Sequence, residues 1–499
     1  MAENSLEECY APEEAWAVLQ ERKRMYYDEC AAMYTGAQSQ LIRTGIPGSF
    51  WRRPGKARVH VPIAADIAAT SANLLFGEEP RYTLQAGEGK SPQPDKLRRL
   101  QEMVASSGLN SRLCEAAESA AALGDVCLKL NWRENEPAPS LRVVQADDAL
   151  PEYRMGHLHC LHFFTLLSEN SRRGTVTRVY EQYQPGEIRM RVYLGTKSEL
   201  GEPLDDSILE SLGYAPHITP PIDDLLAVHI PNMRPNRLLG GEMGRSDLEG
   251  LRGLMDALDE AYSSWMRDIR LAKSRLIVPA EYLHRRGQDL FREGQYTYEF
   301  DEDVETLVAL DIDTSVAGTS ILPSQFAIRT EEHRVTCEHL IKTIVSMAGY
   351  SPQSFGIDIH GQAESGTALH LRERKSYNTR GKKENYWKVP LERILTAMIR
   401  LDSVSGSGIF DEDDRVSVIF SDSIANDLST TASAVQLMRS AGVMSVEEGI
   451  STVHPDWTQD MVQAEAARIQ GGEERKADVS VPAFTASKEK EHGTSAAEA

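Results

Sequence analysis

The side chains best suited to chemistry in this 499-residue chain crowd the stretch SPQSFGIDIHGQAESGT at residues 351–367. One interpretation makes Ser354 or Ser365 a nucleophile, His360 its general base and Asp358 the group that orients the histidine. The stretch lacks the Gly-x-Ser-x-Gly turn that exposes such a serine. The alternation in Ile-Asp-Ile-His already places Asp358 and His360 on one side of an extended chain. We therefore expect a glycine-punctuated loop without a catalytic residue.

The histidine-rich stretch HLHCLH at residues 157–162 is a second candidate, as a metal site. In a strand, His157 and His159 share one face while Cys160 and His162 share the other, so one ion cannot bind all four. The acidic run FDEDVE lacks the spacing of a calcium loop, and neither glycine-rich phosphate-binding motif occurs in the sequence. We expect no metal and no cofactor.

A strongly basic segment follows the loop. Residues 372–388 carry seven basic side chains against two acidic ones, although the whole chain has a formal net charge of -21. The overall acidity argues against a protein that grips nucleic acid over its whole surface, because phosphate neutralisation needs clustered Lys and Arg. The basic segment is therefore open to three interpretations: a solvated helix face, a contact for nucleic-acid phosphates, or a partner for acidic side chains of a neighbouring subunit. The residues concerned are Arg372, Arg374, Lys375, Arg380, Lys382 and Lys383.

The composition is that of an ordinary globular protein, with 41% hydrophobic and 26% charged residues. No run approaches the roughly 20 apolar residues that a membrane helix needs. The acidic beginning MAENSLEECYAPEEAW lacks the basic and apolar regions of a signal peptide. We expect a soluble, intracellular protein without membrane association. The six cysteines form no Cys-x-x-Cys pair, which predicts reduced thiols rather than a disulfide framework.

Two helices joined by a small insertion are predicted between residues 241 and 350. The first carries a narrow apolar seam at alternating intervals of three and four residues, which is typical of a helix that packs against one or two neighbours. The seam consists of Leu248, Leu251, Met255, Leu258, Tyr262, Trp265 and Ile269. Ser246, with Glu249 three residues on, predicts an N-terminal capping box. Strand-like segments such as RLIVP and TYEFD predict a mixed α/β insertion before the second helix.

The remaining patterns predict an α+β fold. Residues 1–240 combine an N-terminal helix with a mostly antiparallel sheet, whose strands alternate apolar and polar residues between glycine turns. A third long helix begins near Gly366. Its basic first half is expected to be exposed to solvent and its apolar second half to be buried, and Pro390 should kink it. Short helices fill residues 425–470, and the polar tail at 471–499 is expected to be disordered.

In their order along the chain, these segments resemble the portal protein of tailed bacteriophages, in the branch with long non-contractile tails. The segments that carry the resemblance are VHVPIAADIAATSANLLFGEEP, AAALGDVCLKLNW, DDALPEY, VYEQYQPGEIRMRVYLG, GRSDLEGLRGLMDALDEAYSSWMRDIRLAKSRLIVP, SPQSFGIDIHGQAESGTALHLRERKS and VIFSDSIANDLSTTASAVQLMRSAGVMSVEEGI. They span nearly the whole chain, and their combination is more specific than any single piece.

The resemblance implies a ring of subunits, usually twelve, at one capsid vertex, through which double-stranded DNA enters during packaging and leaves at infection. Its parts would be an N-terminal helix and sheet-rich wing (1–240), stem helices (241–275 and 325–350), a small α/β clip (276–324), a tunnel loop (351–365), a long kinked helix with a returning wing strand (366–424) and a helical crown (425–470). The tunnel-loop residues expected to face DNA are Ser354, Gly356, Asp358, His360, Gly361, Gln362 and Glu364.

The resemblance also implies partners. They are further copies of the chain, duplex DNA passing without sequence specificity, the terminase large subunit of the packaging motor, a head-completion adaptor, and capsid and scaffold proteins. The protein would assemble in the host cytoplasm and reside in the virion, with a structural rather than an enzymatic role. The alternatives are another connector or adaptor ring of the virion, a sequence-tolerant DNA-binding protein acting through the basic segment, and a hydrolase using the His360 loop.

Replacing Gly361 and Gly366 with Ala should leave ring assembly intact but reduce DNA packaging or retention, because glycine gives a loop in a confined channel its backbone freedom. The measurement is the DNA content of assembled particles for the variant and the parent. Normal packaging by the variant would reduce the loop to a passive connection.

Overall fold

The computed structural model describes the chain in separate stretches. These are residues 9–36, 59–85, 93–132, 138–272, 275–279, 308–310, 322–324, 327–357, 366–420, 428–454 and 461–469. The predicted disordered tail at 471–499 lies outside them. The chain divides into two compact units, Met1–Ser421 and Asp422–Ala499. Within the described residues, no helix is both long and apolar enough to span a bilayer.

The described residues of the first unit include nine α-helices. They are α1 (Pro12–Arg22), α2 (Asp28–Tyr34), α3 (Ile63–Phe76), α4 (Pro94–Ser107), α5 (Leu109–Leu123), α6 (Asp206–Ser211), α7 (Arg252–Leu271), α8 (Thr330–Ala348) and α9 (Gly366–Asp402). A π-helical turn at Lys23–Tyr27 joins α1 to α2. The predicted N-terminal helix is therefore continuous across that turn.

The strands lie among these helices, with seven consecutive strands between α5 and α6. They are β1 (Arg81–Gln85), β2 (Asp125–Asn131), β3 (Ser140–Gln145), β4 (Ala149–Arg154), β5 (His157–Asn170), β6 (Thr175–Gln184), β7 (Glu187–Gly195), β8 (Glu202–Pro203), β9 (His217–Ile218), β10 (Ala227–Pro231), β11 (Arg275–Pro279), β12 (Val308–Leu310), β13 (Leu322–Ser324) and β14 (Arg415–Ile419). The predicted α+β class is confirmed.

The largest sheet is antiparallel and contains six strands, in the order β4-β5-β6-β7-β8 with β9 paired to β7. Met155 and Gly156, with φ of 50° and 80°, form the two-residue turn between β4 and β5. Positive φ at both positions matches the twist of a hairpin. One face of the sheet packs on α1, where the Trp16 ring lies edge-on to Phe164 with centroids 5.0 Å apart. Alternation in the sequence thus predicted this sheet correctly.

A second antiparallel sheet, in the order β10-β2-β3, is tied to the first by a buried ion pair. Lys129 Nζ on β2 lies 2.6 Å from each carboxylate oxygen of Glu181 on β6. The ammonium group also lies 4.9 Å from the centre of the Phe163 ring. Burial lowers the pKa of Lys129, and the charge of Glu181 opposes that shift. Loss of either partner would leave the other charge buried and unpaired, at a cost of about 3–5 kcal/mol.

Helix α9 contains 37 residues and is about 55 Å long at 1.5 Å per residue. Its second half is buried as predicted, because Trp387 and Leu391 belong to the main core with side chains of α3, α4 and α5. Pro390 lies inside the helix, where it removes one backbone donor. At the end of the helix, Asp402 accepts hydrogen bonds of 3.2 and 2.6 Å from Arg99 on α4. Strand β14 follows and pairs antiparallel with β1.

Helix α7 begins later than the sequence predicted. It starts at Arg252 rather than at Ser246. Gly250, with φ of +77°, interrupts the helical geometry immediately before it. The Ser246 hydroxyl donates instead to the carbonyl of Ala122 at the end of α5, at 2.6 Å. The predicted capping box of Ser246 and Glu249 is wrong because the helix begins six residues later; Ser246 Oγ accepts from the Leu248 backbone nitrogen at 3.0 Å, in the turn before the helix.

Helices α7 and α8 pack against each other in opposite directions, and the chain between them contains a small mixed sheet. In that sheet β11 is central, parallel to β12 and antiparallel to β13. This agrees with the predicted mixed insertion, although the TYEFD segment lies outside the described residues. The boundaries 241–275, 276–324 and 325–350 assigned to stem and clip remain predictions.

The second unit contains α10 (Leu428–Ser440), α11 (Val446–Val453) and α12 (461–469). Ser445 caps α11 by accepting a 3.1 Å hydrogen bond from the Glu448 backbone nitrogen. A small core of Ile450, Val462 and Ala466 joins α11 to α12. Helices were predicted in this region, and the structure has them within a few residues of the predicted bounds.

Trp387→Ala should lower the stability of the first unit strongly. The side chain is fully buried and lies edge-on to Phe76 with centroids 5.0 Å apart, and loss of a buried tryptophan costs about 3–5 kcal/mol. Val389→Ala, two residues along the same helix but 58% exposed, is the matched control and should cost less than about 0.5 kcal/mol. Thermal unfolding followed by circular dichroism compares them; equal midpoints would contradict this account of the core.

Candidate functional site at the base of the stem

The segments next to α7 and α8 meet the long helix α9 in a buried polar cluster. Lys383 of α9 donates hydrogen bonds to Asp247 Oδ2 (2.6 Å), Ser71 Oγ (2.6 Å) and Tyr350 OH (2.9 Å). The three donors of its ammonium group therefore have three acceptors. Tyr350 donates in turn to Asp247 Oδ2 at 2.7 Å, and Asn232 donates to Oδ1 at 2.9 Å. The cluster joins α3, the end of β10, the turn before α7, the residues after α8, and α9.

This cluster is closed to solvent, since the side chains of Lys383 and Asp247 are 1% and 0% exposed. Burial lowers the pKa of Lys383, and the charge of Asp247 counteracts that shift. Burial, and then the charge of Asp247, raise the pKa of Tyr350 well above its ordinary value, so its hydroxyl stays protonated and can donate. A fully paired, enclosed cluster fixes the positions of helices and offers no face to a substrate.

The prediction that Lys383 faces DNA or a neighbouring subunit is therefore wrong. Its charge is neutralised inside its own chain by Asp247. Arg380, one turn earlier, is also buried and pairs with Glu384 at 2.8 Å. Helical periodicity explains the burial of both side chains. Residues three and four apart lie on one face of a helix, and this face of α9 packs against the rest of the chain. The buried face consists of Ser376, Thr379, Arg380, Lys383 and Trp387.

The other basic side chains predicted for an interface lie on or near the outer side of α9. Arg374, Lys375 and Lys382 are exposed, and Arg372 is half-buried. Lys375 also donates to Ser346 Oγ of α8 at 3.0 Å. That these side chains contact DNA or a neighbouring subunit stays a prediction.

The chain that enters the predicted tunnel loop is fastened to α9. The Ser351 backbone nitrogen donates to Ser376 Oγ at 2.8 Å, and Ser354 Oγ lies 2.8 Å from the same oxygen. Thr379 donates to the carbonyl of Gly349 at 2.6 Å. A Cβ at Gly349, where φ is +106°, would come within 3.1 Å of Thr379 Oγ1, so the close approach favours glycine.

Gly356, with φ of +68°, ends the short 3-10 turn Pro352–Phe355 that opens the loop. Ser354, the serine of the catalytic hypothesis that lies within the described residues, has its hydroxyl 2.8 Å from the hydroxyl of Ser376. The remaining loop residues of the prediction lie outside the described residues: Asp358, His360, Gly361, Gln362, Glu364 and Ser365.

The predicted seam is used within the chain at its beginning. Its first four residues, at most 2% exposed, pack with α8 and the neighbouring helices. They are Leu248, Leu251, Met255 and Leu258. Tyr262 and Trp265 are partly buried against the same cluster, whereas Ile269 is 40% exposed. Burial therefore falls along α7 away from the polar cluster.

Polar contacts hold α7 along its length, among them the 3.1 Å hydrogen bond that Ser263 Oγ accepts from the Val59 backbone nitrogen. Near its middle, Asp259 Oδ1 accepts from the Val61 backbone nitrogen at 2.9 Å, and Oδ2 lies 2.8 Å from His60 Nδ1. Near its end, Asp268 Oδ2 lies 2.9 Å from His333 Nε2 on α8 and accepts from Arg329 at 2.8 Å. Contacts with His333 and Arg329 lower the pKa of Asp268. The contacts of Ser263 and Asp259 attach α7 to the chain before α3, and those of Asp268 attach it to α8 alone.

A second buried polar chain escaped the sequence analysis. Tyr153 OH lies 2.8 Å from His229 Nδ1, and His229 Nε2 lies 2.8 Å from Asp125 Oδ1. Tyr153 and His229 also line a cavity of about 270 Å³ beside α9. Asp125 accepts further hydrogen bonds from the Gly244 backbone nitrogen (2.6 Å) and Tyr27 OH (3.2 Å). These residues come from separate strands and loops, so no spacing in the sequence predicts them. Their hydrogen bonds connect β2 and β10 to the turn before α7.

Comparison with known proteins gives one family. The family model described as "Phage portal protein, SPP1 Gp6-like" matches residues 17–478. No curated protein matches the chain.

Several solved structures show a remote likeness. The neck of an empty GTA particle computed with C6 symmetry aligns at 12% identity and a TM-score of 0.40, covering 79% of this chain and 90% of that chain. The virion of a native gene transfer agent particle aligns at 12% identity and a TM-score of 0.38, covering 84% and 98%. The neck of a native GTA particle computed with C12 symmetry aligns at 12% identity and a TM-score of 0.39, covering 79% and 89%.

Lys383→Met should destabilise the first unit by about 3–5 kcal/mol, because Asp247 would remain buried without its partner charge. Adding Asp247→Asn should recover much of that loss, since the amide still accepts from Tyr350 and carries no charge. Lys382→Met, the exposed neighbour, is the matched control and should change stability by less than about 0.5 kcal/mol. Urea unfolding of the four proteins measures their free energies of unfolding. If Lys383→Met lowers that free energy no more than Lys382→Met does, the role assigned to the cluster is refuted.

Proposed function

This chain belongs to the SPP1 Gp6-like family of phage portal proteins, and we propose that it forms a ring of about twelve subunits that conducts double-stranded DNA through one capsid vertex. The observation that carries the proposal is the family match over residues 17–478. A connector role in the virion belongs to the family. The subunit number, the DNA channel and the individual partners are the proposed part.

The proposed organisation assigns each part of the chain a place in that ring. Residues 1–240 form the wing, 241–275 and 325–350 the stem, 276–324 the clip, 351–365 the tunnel loop, 366–424 the long helix with its returning strand, and 425–470 the crown. Support comes from the opposed packing of α7 and α8 and from the small sheet β11–β13 in the chain between them.

Helix dimensions agree with a channel for duplex DNA. Twelve helices side by side, each about 10 Å across, form a circle of about 120 Å circumference. The diameter through their axes is then roughly 38 Å, which leaves an opening near 28 Å after subtraction of one helix diameter. A duplex about 20 Å across passes through such an opening with little space to spare.

The charge distribution suits passage rather than tight binding. A net charge of -21 per chain disfavours extensive phosphate contacts, each of which would add salt-dependent affinity. The exposed Arg374, Lys375 and Lys382 offer a restricted basic surface for DNA or for an acidic neighbour. In the tunnel loop, Asp358, His360 and the residues to Glu364 are proposed to face the DNA, whereas the beginning of the loop is held by Ser376.

Contacts between subunits are proposed to use the outer surface of the stem, because the first part of the seam is already buried within the chain. Ile269 and Ile328, next to the Asp268–Arg329 ion pair, are 40% and 43% exposed. Val335 on α8 is 51% exposed. A second copy of the chain would remove these apolar side chains from water.

The proposed partners follow from this arrangement. The clip docks the packaging motor and later a head-completion adaptor, while the wing and crown contact capsid and scaffold proteins. The protein is assembled in the host cytoplasm, resides at the capsid vertex, and acts as a structural conduit without catalysing a reaction.

The purified chain should assemble into particles of about 670 kDa, the mass of twelve 55.5 kDa chains, with an axial channel wide enough for duplex DNA. Size-exclusion chromatography with light scattering gives the mass, and electron-microscope projections give the subunit number and the channel.

Two outcomes would contradict the proposal. One is a monomer at every concentration, in the presence as well as the absence of its scaffold protein. The other is a ring without a channel of duplex width. Tight, steeply salt-dependent DNA binding by a monomer would favour a sequence-tolerant DNA-binding protein instead.

A further inference from the structure

The β4–β5 hairpin brings three potential metal ligands together on one face of the large sheet. Glu152 lies directly opposite Cys160 in the antiparallel ladder, and His162 follows Cys160 by two residues, so all three side chains share a face. The chain just before α1 lies against this face and adds Cys9. Ligand atoms of Cys9, Glu152 and Cys160 all lie within 4.8 Å of one another. His162 Nε2 lies 3.1 Å from Cys160 Sγ and 3.3 Å from Glu152 Oε2.

We propose that Cys9, Glu152, Cys160 and His162 bind a zinc ion. Two thiolates, one imidazole and one carboxylate are ligands that zinc accepts in a tetrahedral site. The proposal is independent of the channel function. It differs from the sequence prediction that no metal binds, which for this strand considered ligands within HLHCLH and therefore omitted Cys9 and Glu152.

The separations among the donors of Glu152, Cys160 and His162 are close to those of a tetrahedral zinc site, whereas Cys9 Sγ lies within 4.8 Å of the Glu152 and Cys160 donors. Zinc–ligand bonds of about 2.0–2.3 Å imply about 3.3 Å between nitrogen and oxygen and about 3.5 Å between sulfur and either atom. The structure has 3.3 Å between His162 Nε2 and Glu152 Oε2 and 3.6 Å between Cys160 Sγ and Glu152 Oε2. The 3.1 Å between Cys160 Sγ and His162 Nε2 is shorter, so the imidazole must draw back by a few tenths of an ångström.

Surrounding groups hold the ligands in suitable orientations. His162 Nδ1 lies 2.9 Å from Tyr180 OH, which occupies that ring nitrogen and leaves Nε2 toward the other donors. A partner on the second nitrogen is typical of zinc-bound histidines. Arg154 donates to Glu152 Oε1 at 3.0 and 3.2 Å, and Oε2, which also accepts from the Tyr10 backbone nitrogen at 3.0 Å, lies toward the site. Its positive charge balances the net single negative charge of zinc with two thiolates and a carboxylate.

Burial and connectivity indicate a structural site. Cys160 and His162 are fully buried and Glu152 is 6% exposed. With four protein ligands the ion has no open position for substrate. Cys9 lies just before α1, so the ion would fasten the beginning of the chain to the wing sheet, across a sequence distance of more than a hundred residues. Formation of the site requires deprotonation of both thiols and displacement of the Cys160–Glu152 hydrogen bond.

The full-length protein purified from zinc-supplemented medium and dialysed should contain about one zinc per chain by plasma mass spectrometry. Cys9→Ser and Cys160→Ser should each lower that content at least about tenfold, since even loss of an outer partner of a ligand costs about 10- to 100-fold in affinity. Cys114→Ser, a half-exposed cysteine on α5 outside the cluster, is the matched control and should keep its zinc. Tyr180→Phe should bind more weakly than the parent while keeping the site.

Cobalt substitution supplies a second measurement that does not depend on folding of Cys160→Ser. The parent and Cys114→Ser should show thiolate-to-cobalt charge transfer and the visible bands of tetrahedral Co²⁺, and Cys9→Ser should lose part of the charge-transfer intensity. Three results would overturn the proposal: folded parent protein without bound zinc, equal zinc in the parent and in Cys9→Ser, or a Cys9–Cys160 disulfide in freshly purified protein.

Discussion

A buried charge must be paired, and the pairing of Lys383 with Asp247 is the constraint on which the arrangement of the first unit depends. The two side chains are enclosed together with Tyr350, Ser71 and Asn232, and each belongs to a different segment. Movement of α9 by one helical turn would carry Lys383 about 5.4 Å along the helix axis. Both charges would then be buried without partners, so the cluster fixes the position of α9 relative to the stem.

Other contacts of α9 are consistent with that position and extend it along the helix. Ser376 and Thr379 hold the residues that follow α8, and Asp402 binds Arg99 of α4. Between these attachments, apolar side chains around Trp387 supply most of the buried area. The polar contacts set the register of the helix, and the hydrophobic core makes that register stable. Helix α9 therefore contacts the start of the predicted tunnel loop, the segments next to α7 and α8, and the main hydrophobic core.

The features predicted correctly from the sequence are those determined by local patterns. Alternation with glycine turns gave the antiparallel sheet, and apolar periodicity gave α7, α8 and the buried second half of α9. Composition cannot reveal partners distant in sequence. The carboxylate that neutralises Lys383 lies 136 residues earlier, and the basic pattern around it is the same whether the side chain faces water or Asp247.

The errors in the candidate sites have the same origin. Ser246 has the sequence of a helix cap but bonds to the end of α5, and Gly250 delays the start of α7. In HLHCLH the prediction assumed strict alternation, but the pairing of β4 with β5 shifts register at Glu152 and Tyr153, so only the shared face of Cys160 and His162 follows from the spacing. The donors beside Cys160 and His162 come from the neighbouring strand and from the chain before α1, which only the folded arrangement reveals.

The attachment of α7 to the rest of the chain is uneven along its length. Up to Ser263 the helix is held by buried side chains and by the chain before α3, whereas its last eight residues are held by contacts with α8. Ser263 thus acts as a pivot, with about 12 Å of helix beyond it. A tilt of about 5° at that point moves the end of the helix by roughly 1 Å. In the proposed ring, neighbouring hairpins would adjust to one another by such a tilt.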